Sequence, residues 1–451
     1  MVRQHSEPLV DRRGFLVEGG RALAAAGALA ATARRLPAAD DDAQLKVAAV
    51  ITEFTYRSHA HVILENFLKP YLFNGQRTES RMRVASMYVD QFPAGDMARD
   101  VSREFDVPIL PTIGEALRLG GDKLAVDAVL SIGEHGNYPD NAKGQREYPR
   151  KRFFDAIVAV LEADGRAVPV FNDKHLSYRW DWAKEMYDTA RRLGVPFMAG
   201  SSVPLAQRRP PLELPAGAVL REAVSIHGGG VESYDFHALE VLQSMVESRR
   251  GGECGVRRVE FIEGDALWKA AREGRFSTAL ADAAMAAELG PGQPPLADLV
   301  NAQVVSPAAP HGILLEYGDG FRAAALKIGS SGTRWNFACQ IEGESQPRAT
   351  SFYVGPWQNR NLFKALSHAI QTHFRQRRAP YPVERTLLVT GVLDAAMDSR
   401  YQGLRPVDTP HLAIAYSPVD FRAMREMGAS WKIITEDMPE PAGIDPGGTK
   451  T

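Results

Sequence analysis

From residue 46 the chain alternates continuous apolar runs with amphipathic stretches. "KVAAVI", "MRVASMYVD", "VDAVLSIG", "AVPVFND" and "VPFMAGSS" are short, apolar and bounded by polar turns, the pattern of strands buried on both faces. Between them, "HVILENFLKPYLF", "DMARDVSREFDVP", "TIGEALRLG", "KRFFDAIVAVLEADG" and "YRWDWAKEMYDTARRLG" carry apolar residues at helical spacing. The order predicts a parallel, doubly wound sheet. A Pro-rich linker, "LAQRRPPLELPAG", ends this half. Beyond it come the helix "YDFHALEVLQSMVESR" and candidate strands "VRRVEFIEG", "HGILLEYGDG", "FRAAALKIG" and "NFACQIEG". Two long helical stretches, "NLFKALSHAIQTHFRQ" and "VERTLLVTGVLDAAMDSRYQG", close the chain. The expected fold class is therefore α/β: a Rossmann-like doubly wound parallel sheet over 44–208, then a C-terminal α+β domain with an open mixed sheet over 212–438. Residues 439–451, rich in Gly and Pro, are expected to be a flexible tail.

The first forty residues belong to no such element. "DRRGFLVEGGRALAAAGALAATARRLPAAD" has Arg12 and Arg13, then a mild Ala/Leu/Gly run, then small residues before an acidic patch. This is the form of a twin-arginine-type signal peptide over 1–40, cleaved near Ala39, and it implies a periplasmic or secreted protein. The run is too short and too weakly apolar for a stable membrane span, so no transmembrane anchor is expected after processing.

Composition narrows the function classes. A chain of 451 residues with 45% apolar and 24% charged residues has the makeup of a globular protein. A net charge of −2 gives no footprint for nucleic acid. Two cysteines, Cys254 and Cys339, make neither a disulfide framework nor a thiolate metal site.

Together, "FDVPILPTIGEALRLGGDKLAVDAVLSIGEHGNY", "FFDAIVAVLEADGRAVPVFNDKHLS", "YDFHALEVLQSMVE" and the closing helix resemble the Gfo/Idh/MocA family, that of glucose–fructose oxidoreductase and inositol dehydrogenase. The resemblance implies an oxidoreductase using NAD(P) on a small hydroxylated, carbohydrate-like substrate, and a homo-oligomer formed through the open face of the second sheet. Asp173-Lys174-His175 stands where the family has E-K-P, which makes Lys174 the substrate-binding lysine. His237 falls on the family's catalytic histidine and Glu240 on its second acid. The family's aspartate four residues earlier falls on Ser233, with Asp235 the nearest carboxylate. A His that takes the hydroxyl proton and a Lys that lowers that hydroxyl's pKa suit carbinol chemistry.

The opening turn departs from the family. A G-x-G-x-x-G turn lets backbone N–H groups and a helix N-terminus approach a pyrophosphate; here the interval is "TEFTYRSHA". Phe54, Thr55, Tyr56 and Arg57 would fill that space. Arg57, Asp90 at the end of the second strand and His135 remain as cofactor-binding candidates for an atypically bound NAD(P).

Six of the 11 histidines, His59, His61, His135, His175, His227 and His237, fall at predicted strand ends or in the following loops, near carboxylates. Imidazoles with one or two carboxylates are the usual ligands of Zn²⁺, Fe²⁺ or Cu²⁺. These six form the candidate metal pool, while His311, His368 and His373 have no such setting. Trp180 and Trp182 are either sugar-stacking faces or core. Three readings follow: an exported oxidoreductase with Lys174, His237 and Asp235 as catalytic residues; a metal-dependent lyase, isomerase, hydrolase or oxidase; and a non-catalytic sugar-binding protein.

Overall fold

The computed structural model describes residues 44–296, 298 and 310–447; the expected signal over 1–40 lies outside them. The first half runs β1 (Leu45–Ile51), α1 (His59–Leu68), β2 (Tyr71–Phe73), β3 (Gln76–Thr78), β4 (Met82–Val89), α2 (Ala98–Phe105), α3 (Ile113–Arg118), β5 (Ala128–Ile132), α4 (Arg150–Ala163), β6 (Val170–Asp173), α5 (Trp180–Arg192) and β7 (Phe197–Gly200). The second half runs β8 (Gln207–Arg209), β9 (Leu220–His227), α6 (Ser233–Val246), β10 (Val256–Glu263), α7 (Asp265–Arg272), α8 (Thr278–Leu289), β11 (His311–Tyr317), β12 (Arg322–Lys327), β13 (Trp335–Ile341), β14 (Arg348–Tyr353), α9 (Asn359–Gln376), α10 (Val383–Tyr401) and β15 (Val407–Asp408).

The first sheet has the order β4-β1-β5-β6-β7 with every pair parallel. The chain leaves β1 to one side and returns to its other side at β5, so the carboxyl ends of β1 and β5 open a crevice at the switch point. The second sheet is mixed, β15-β10-β11-β12-β9-β13-β14-β8, and only β9 and β12 pair in parallel. One core lies between the sheets, around α1, α6, α9 and α10; a second packs α3, α4 and α5 on the far face of the first sheet. From Gln44 onward the chain is one compact unit. No helix among the described residues is long and apolar enough to cross a membrane.

Three expectations change here. Helix α1 stops at Leu68 rather than running on to Phe73, because Pro70 forces Lys69 into extended backbone (φ −135°, ψ 156°) and the chain turns into the β2–β3 hairpin. The outer face of the second sheet, expected to be free for a partner copy, carries α7 and α8: Leu267, Leu280, Ala284 and Met285 pack against Val224, Ile226 and Ala338. The tail is pinned as far as residue 447. Arg360 donates to the carbonyls of Pro441, Gly443 and Asp445, and Arg57 pairs with Glu440. Two buried or half-buried guanidiniums offset the ordering entropy that its composition alone would leave uncompensated.

Candidate active site

The switch-point crevice is a cavity of about 430 Å³. Each wall is a strand end or helix start: Arg57 and His59 after β1, Glu134 and His135 after β5, Lys174 after β6, Ser233, Tyr234 and His237 on α6, Trp335 on β13 and Phe363 on α9. Four lining residues, Arg57, His135, Lys174 and Gln358, hold left-handed backbone (φ 62°, 70°, 63° and 52°). Such conformations cost of order 1–3 kcal/mol each in a non-glycine residue, and they cluster where side chains must be aimed.

Long-range contacts aim these side chains. Ser58 caps α1 and places His59 first in the helix. There His59 Nδ1 meets Asp173 Oδ2 at 2.6 Å, across from the end of β6. The ring packs edge-on against His135 at 5.0 Å and Phe363 at 4.6 Å. The Lys174 ammonium donates to Glu134 Oε1 (2.8 Å) and Ser233 Oγ (2.7 Å). Glu134 is held from its other side by the buried Arg150. Burial opposes ionisation of Glu134, but the charges of Lys174 and Arg150 outweigh it and keep the carboxyl well below its ordinary range.

The hydrogen-bond pattern assigns a different role to each histidine. Asp173 takes the Nδ1–H of His59, so Nε2 carries the lone pair and His59 is a base oriented by a carboxylate. His135 Nδ1 accepts the His59 backbone N–H (3.3 Å), which puts its proton on Nε2. Burial and the neighbouring His59 push His135 down to about 4, so it is a neutral donor at pH 7. Ser201 Oγ accepts from Val203 N (3.0 Å) and has its own hydrogen left for His237 Nδ1 (2.6 Å). His237 then presents Nε2–H, and burial, reinforced by the charge of Lys174, holds it well below its ordinary value. The cleft thus has one oriented base and three donors, Lys174, His135 and His237. Trp335 and Tyr234 stack 5.2 Å apart at its wall.

The expected site residues separate. Lys174, His237, His59, His135 and Arg57 share the cleft. Asp235, expected to be catalytic, does not: fully buried, its Oδ1 faces His227 Nε2 (3.0 Å) and His311 Nε2 (2.7 Å), and its Oδ2 accepts from Glu232 N, capping α6. Glu240 also turns away and sits beneath Gly200, where burial lifts it to about 7. His61 bridges the Arg57 N–H and the Gly443 carbonyl, and His175 lies between Arg150 and Glu232. The six-histidine metal pool therefore does not converge on one ion. Among the described residues the set that does bring three ligand atoms within 4.8 Å of one another is His227, Asp235 and His311. It has no opening, and Lys327, cross-strand neighbour of both histidines, already offers Asp235 a cation. We read it as the buried support that fixes the start of α6. Trp180 and Trp182 pack against His411 and Tyr178, outside the cleft.

Sequence reasoning missed Ser201 and Trp335, and it missed the pairing of Asp173 with His59 and the clamp of Arg150 on Glu134. The positions of Glu134 and Asp173 at predicted strand ends were the available signal; Ser201 and Trp335 had none.

A pyrophosphate does not fit where a glycine-rich turn would hold it. Phe54 is fully buried in that space. The first helical N–H is spent on His135 and that of His61 on Ser58 Oγ, while Tyr56 and Arg57 are tied to Glu440. Asp90 has no acceptor left for a ribose: Arg152, Tyr88 and Tyr138 occupy both oxygens at 2.6–2.8 Å. Gln91 and Asn137 bridge the crevice above it. Titration of the purified protein with NAD and NADH at millimolar concentration is expected to give neither heat nor enhanced nicotinamide fluorescence; saturable binding of either would overturn this reading of the turn.

The chain matches no protein-family profile and no curated protein sequence. Solved structures do match it. The myo-inositol dehydrogenase of Lactobacillus casei, crystallised with NAD(H) and myo-inositol, is 13% identical with a TM-score of 0.53, over 84% of this chain and 100% of that one. GenD2 from gentamicin A biosynthesis, in complex with NAD, is 14% identical with a TM-score of 0.51, over 81% of this chain and 96% of that one. At such identities the likeness is one of architecture. The chain therefore has the Gfo/Idh/MocA fold.

Proposed function

We propose that this protein is a proton-transfer enzyme acting on a small polyhydroxylated molecule that carries a carbonyl, and that it needs no dinucleotide. The observation that carries this reading is the His59–Asp173 dyad, a single base facing a set of donors in one half-enclosed cavity. His59 Nε2 removes a proton from the carbon beside the carbonyl; the C–H electron pair forms the carbon–carbon double bond and the carbonyl π pair moves onto oxygen. The resulting enediolate oxygen is held by the Lys174 ammonium and the Nε2–H of His237, donors fixed before the reaction begins. The proton of the neighbouring hydroxyl passes to the former carbonyl oxygen by way of His237 Nε2, and His59 returns the carbon-bound proton to the adjacent carbon, so the net change is an isomerisation that moves the carbonyl by one carbon. The Nδ1 lone pairs of His135 and His237 are already taken by the His59 N–H and Ser201 Oγ, which leaves His59 Nε2 as the proton acceptor of the cleft. The stacked Tyr234–Trp335 pair offers an apolar face of the kind that sugar rings pack against. Export by the twin-arginine route belongs to this proposal and rests on Arg12 and Arg13, the mild Ala/Leu/Gly run after them and the small residues near Ala39.

Oxidoreduction at the same carbinol is the second reading, supported by the fold and by Lys174 and His237 occupying the positions the dehydrogenase pattern requires. One experiment separates the two. The protein is incubated in D₂O with keto- and aldo-sugars, without added nucleotide, and C–H signals next to the carbonyl are followed by NMR. Deuterium incorporation above the protein-free rate is expected. No exchange with any sugar, together with NADH formation when NAD is added, would replace the proposal with the second reading.

A further inference from the structure

A second cavity, of about 460 Å³, lies between the linker after β8, the end of α6 and the chain around Phe421. None of its lining residues is shared with the candidate active site. Two arginines reach it from different elements, Arg208 on β8 and Arg425 from the C-terminal segment; they are 8% and 2% exposed. Both converge on one carboxylate, Glu213, whose side chain is 43% exposed: Arg208 Nη1 is 3.2 Å from Oε2, and Arg425 Nη2 bonds Oε1. Arg208 Nη1 also donates to the Leu212 carbonyl. That leaves Arg208 Nε, Arg425 Nε and Arg425 Nη1 buried without a partner.

Nearby acids do not make up the difference. Glu247 is spent on Arg385, which holds it through two bonds of 2.8 and 2.5 Å, and Asp420 pairs with Arg422 at the rim. Two buried cations therefore share one half-exposed anion, and burial with the neighbouring Arg425 pushes Arg208 down to about 9. Buried guanidinium donors left unpaired are costly, and a planar or tetrahedral oxyanion is the group whose geometry matches them. Leu214, Met245 and Phe421 supply apolar wall beside them.

We infer that this cavity is a binding site for a small organic oxyanion, a carboxylate or phosphate monoester with a compact apolar body, held by Arg208 and Arg425 in competition with Glu213. The inference does not rest on the proposed proton transfer. Its test is thermal unfolding of the whole protein against inorganic phosphate and against benzoate, with ionic strength held constant by NaCl. A saturable rise in Tm is expected with at least one probe; phosphate alone points to a phosphate ester, benzoate alone to a carboxylate. Glu213→Gln removes the competing charge at a half-exposed position and is expected to tighten binding about threefold. Arg425→Gln is expected to weaken it about tenfold, and Lys174→Met, in the other cavity, to leave it unchanged. The inference falls if neither probe stabilises the protein beyond NaCl. It also falls if Glu213→Gln leaves the affinity unaltered, or if Lys174→Met abolishes binding.

Discussion

Replacing His59 by asparagine is expected to slow deuterium exchange into the substrate by roughly 10²–10⁴-fold, the usual contribution of a positioned general base. Asparagine keeps a similar size and can still donate to Asp173, but has no basic nitrogen to face the cleft. The ring lines the cavity rather than filling the core, so the variant should melt close to the parent and the loss should fall on kcat. Asp173→Asn probes the dyad differently. It leaves the shape but removes the carboxylate that orients the ring, so a smaller loss is expected, again on kcat. An exchange rate for His59→Asn within a few-fold of the parent would reject His59 as the base, whatever the substrate.

A second large effect is expected without any substrate. Lowering the pH from 7 to 5 should cost the folded protein roughly 2–4 kcal/mol. Burial holds His135 and His373 at about 4, and burial with the nearby charge of Arg375 holds His368 there too. The unfolded chain takes up these protons near 6.5. Between those values the unfolded state binds more protons than the folded one, so stability is lost as pH falls through the window, by about 1–2 kcal/mol for each histidine. Buried His175, His227 and His237 are shifted in the same direction. Glu240 works against them: lifted to about 7 by burial, it binds a proton more readily when folded and returns about one histidine's share. Urea unfolding at pH 7, 6 and 5 measures the balance. Equal or greater stability at pH 5 would mean that these histidines are charged, or hydrated, in the folded protein.

Both expectations depend on contacts that join distant parts of the chain, and this bears on what could be read in advance. The βαβ order was legible because strands buried on both faces must be continuous apolar runs and the helices between them must carry an apolar stripe. That order alone placed the ends of β1, β5 and β6 at one crevice, and with them Lys174 and His135. The missing glycines in "TEFTYRSHA" were equally legible, since only a side-chain-free turn admits a pyrophosphate.

Which polar groups meet was another matter. His59 and Asp173 are 114 positions apart, and His311 reaches Asp235 over 76. The histidines at strand ends looked alike in the sequence, yet His59, His135 and His237 came to the cleft while His61, His175 and His227 were buried by other partners. The "EPAGIDPGGTKT" stretch reads as tail, yet its first residues lie on the old phosphate turn because Arg57 and Arg360 wait there. The sequence by itself determined the layers, the crevice and the loss of the dinucleotide turn, because burial periodicity and backbone sterics act over a few residues. Only the tertiary structure decided which histidines reach the cleft, which acids are buried among structural partners and which arginines keep donors without a partner. Those choices depend on sheet order and cross-strand register, which bring together charges that carry no local mark of their partners.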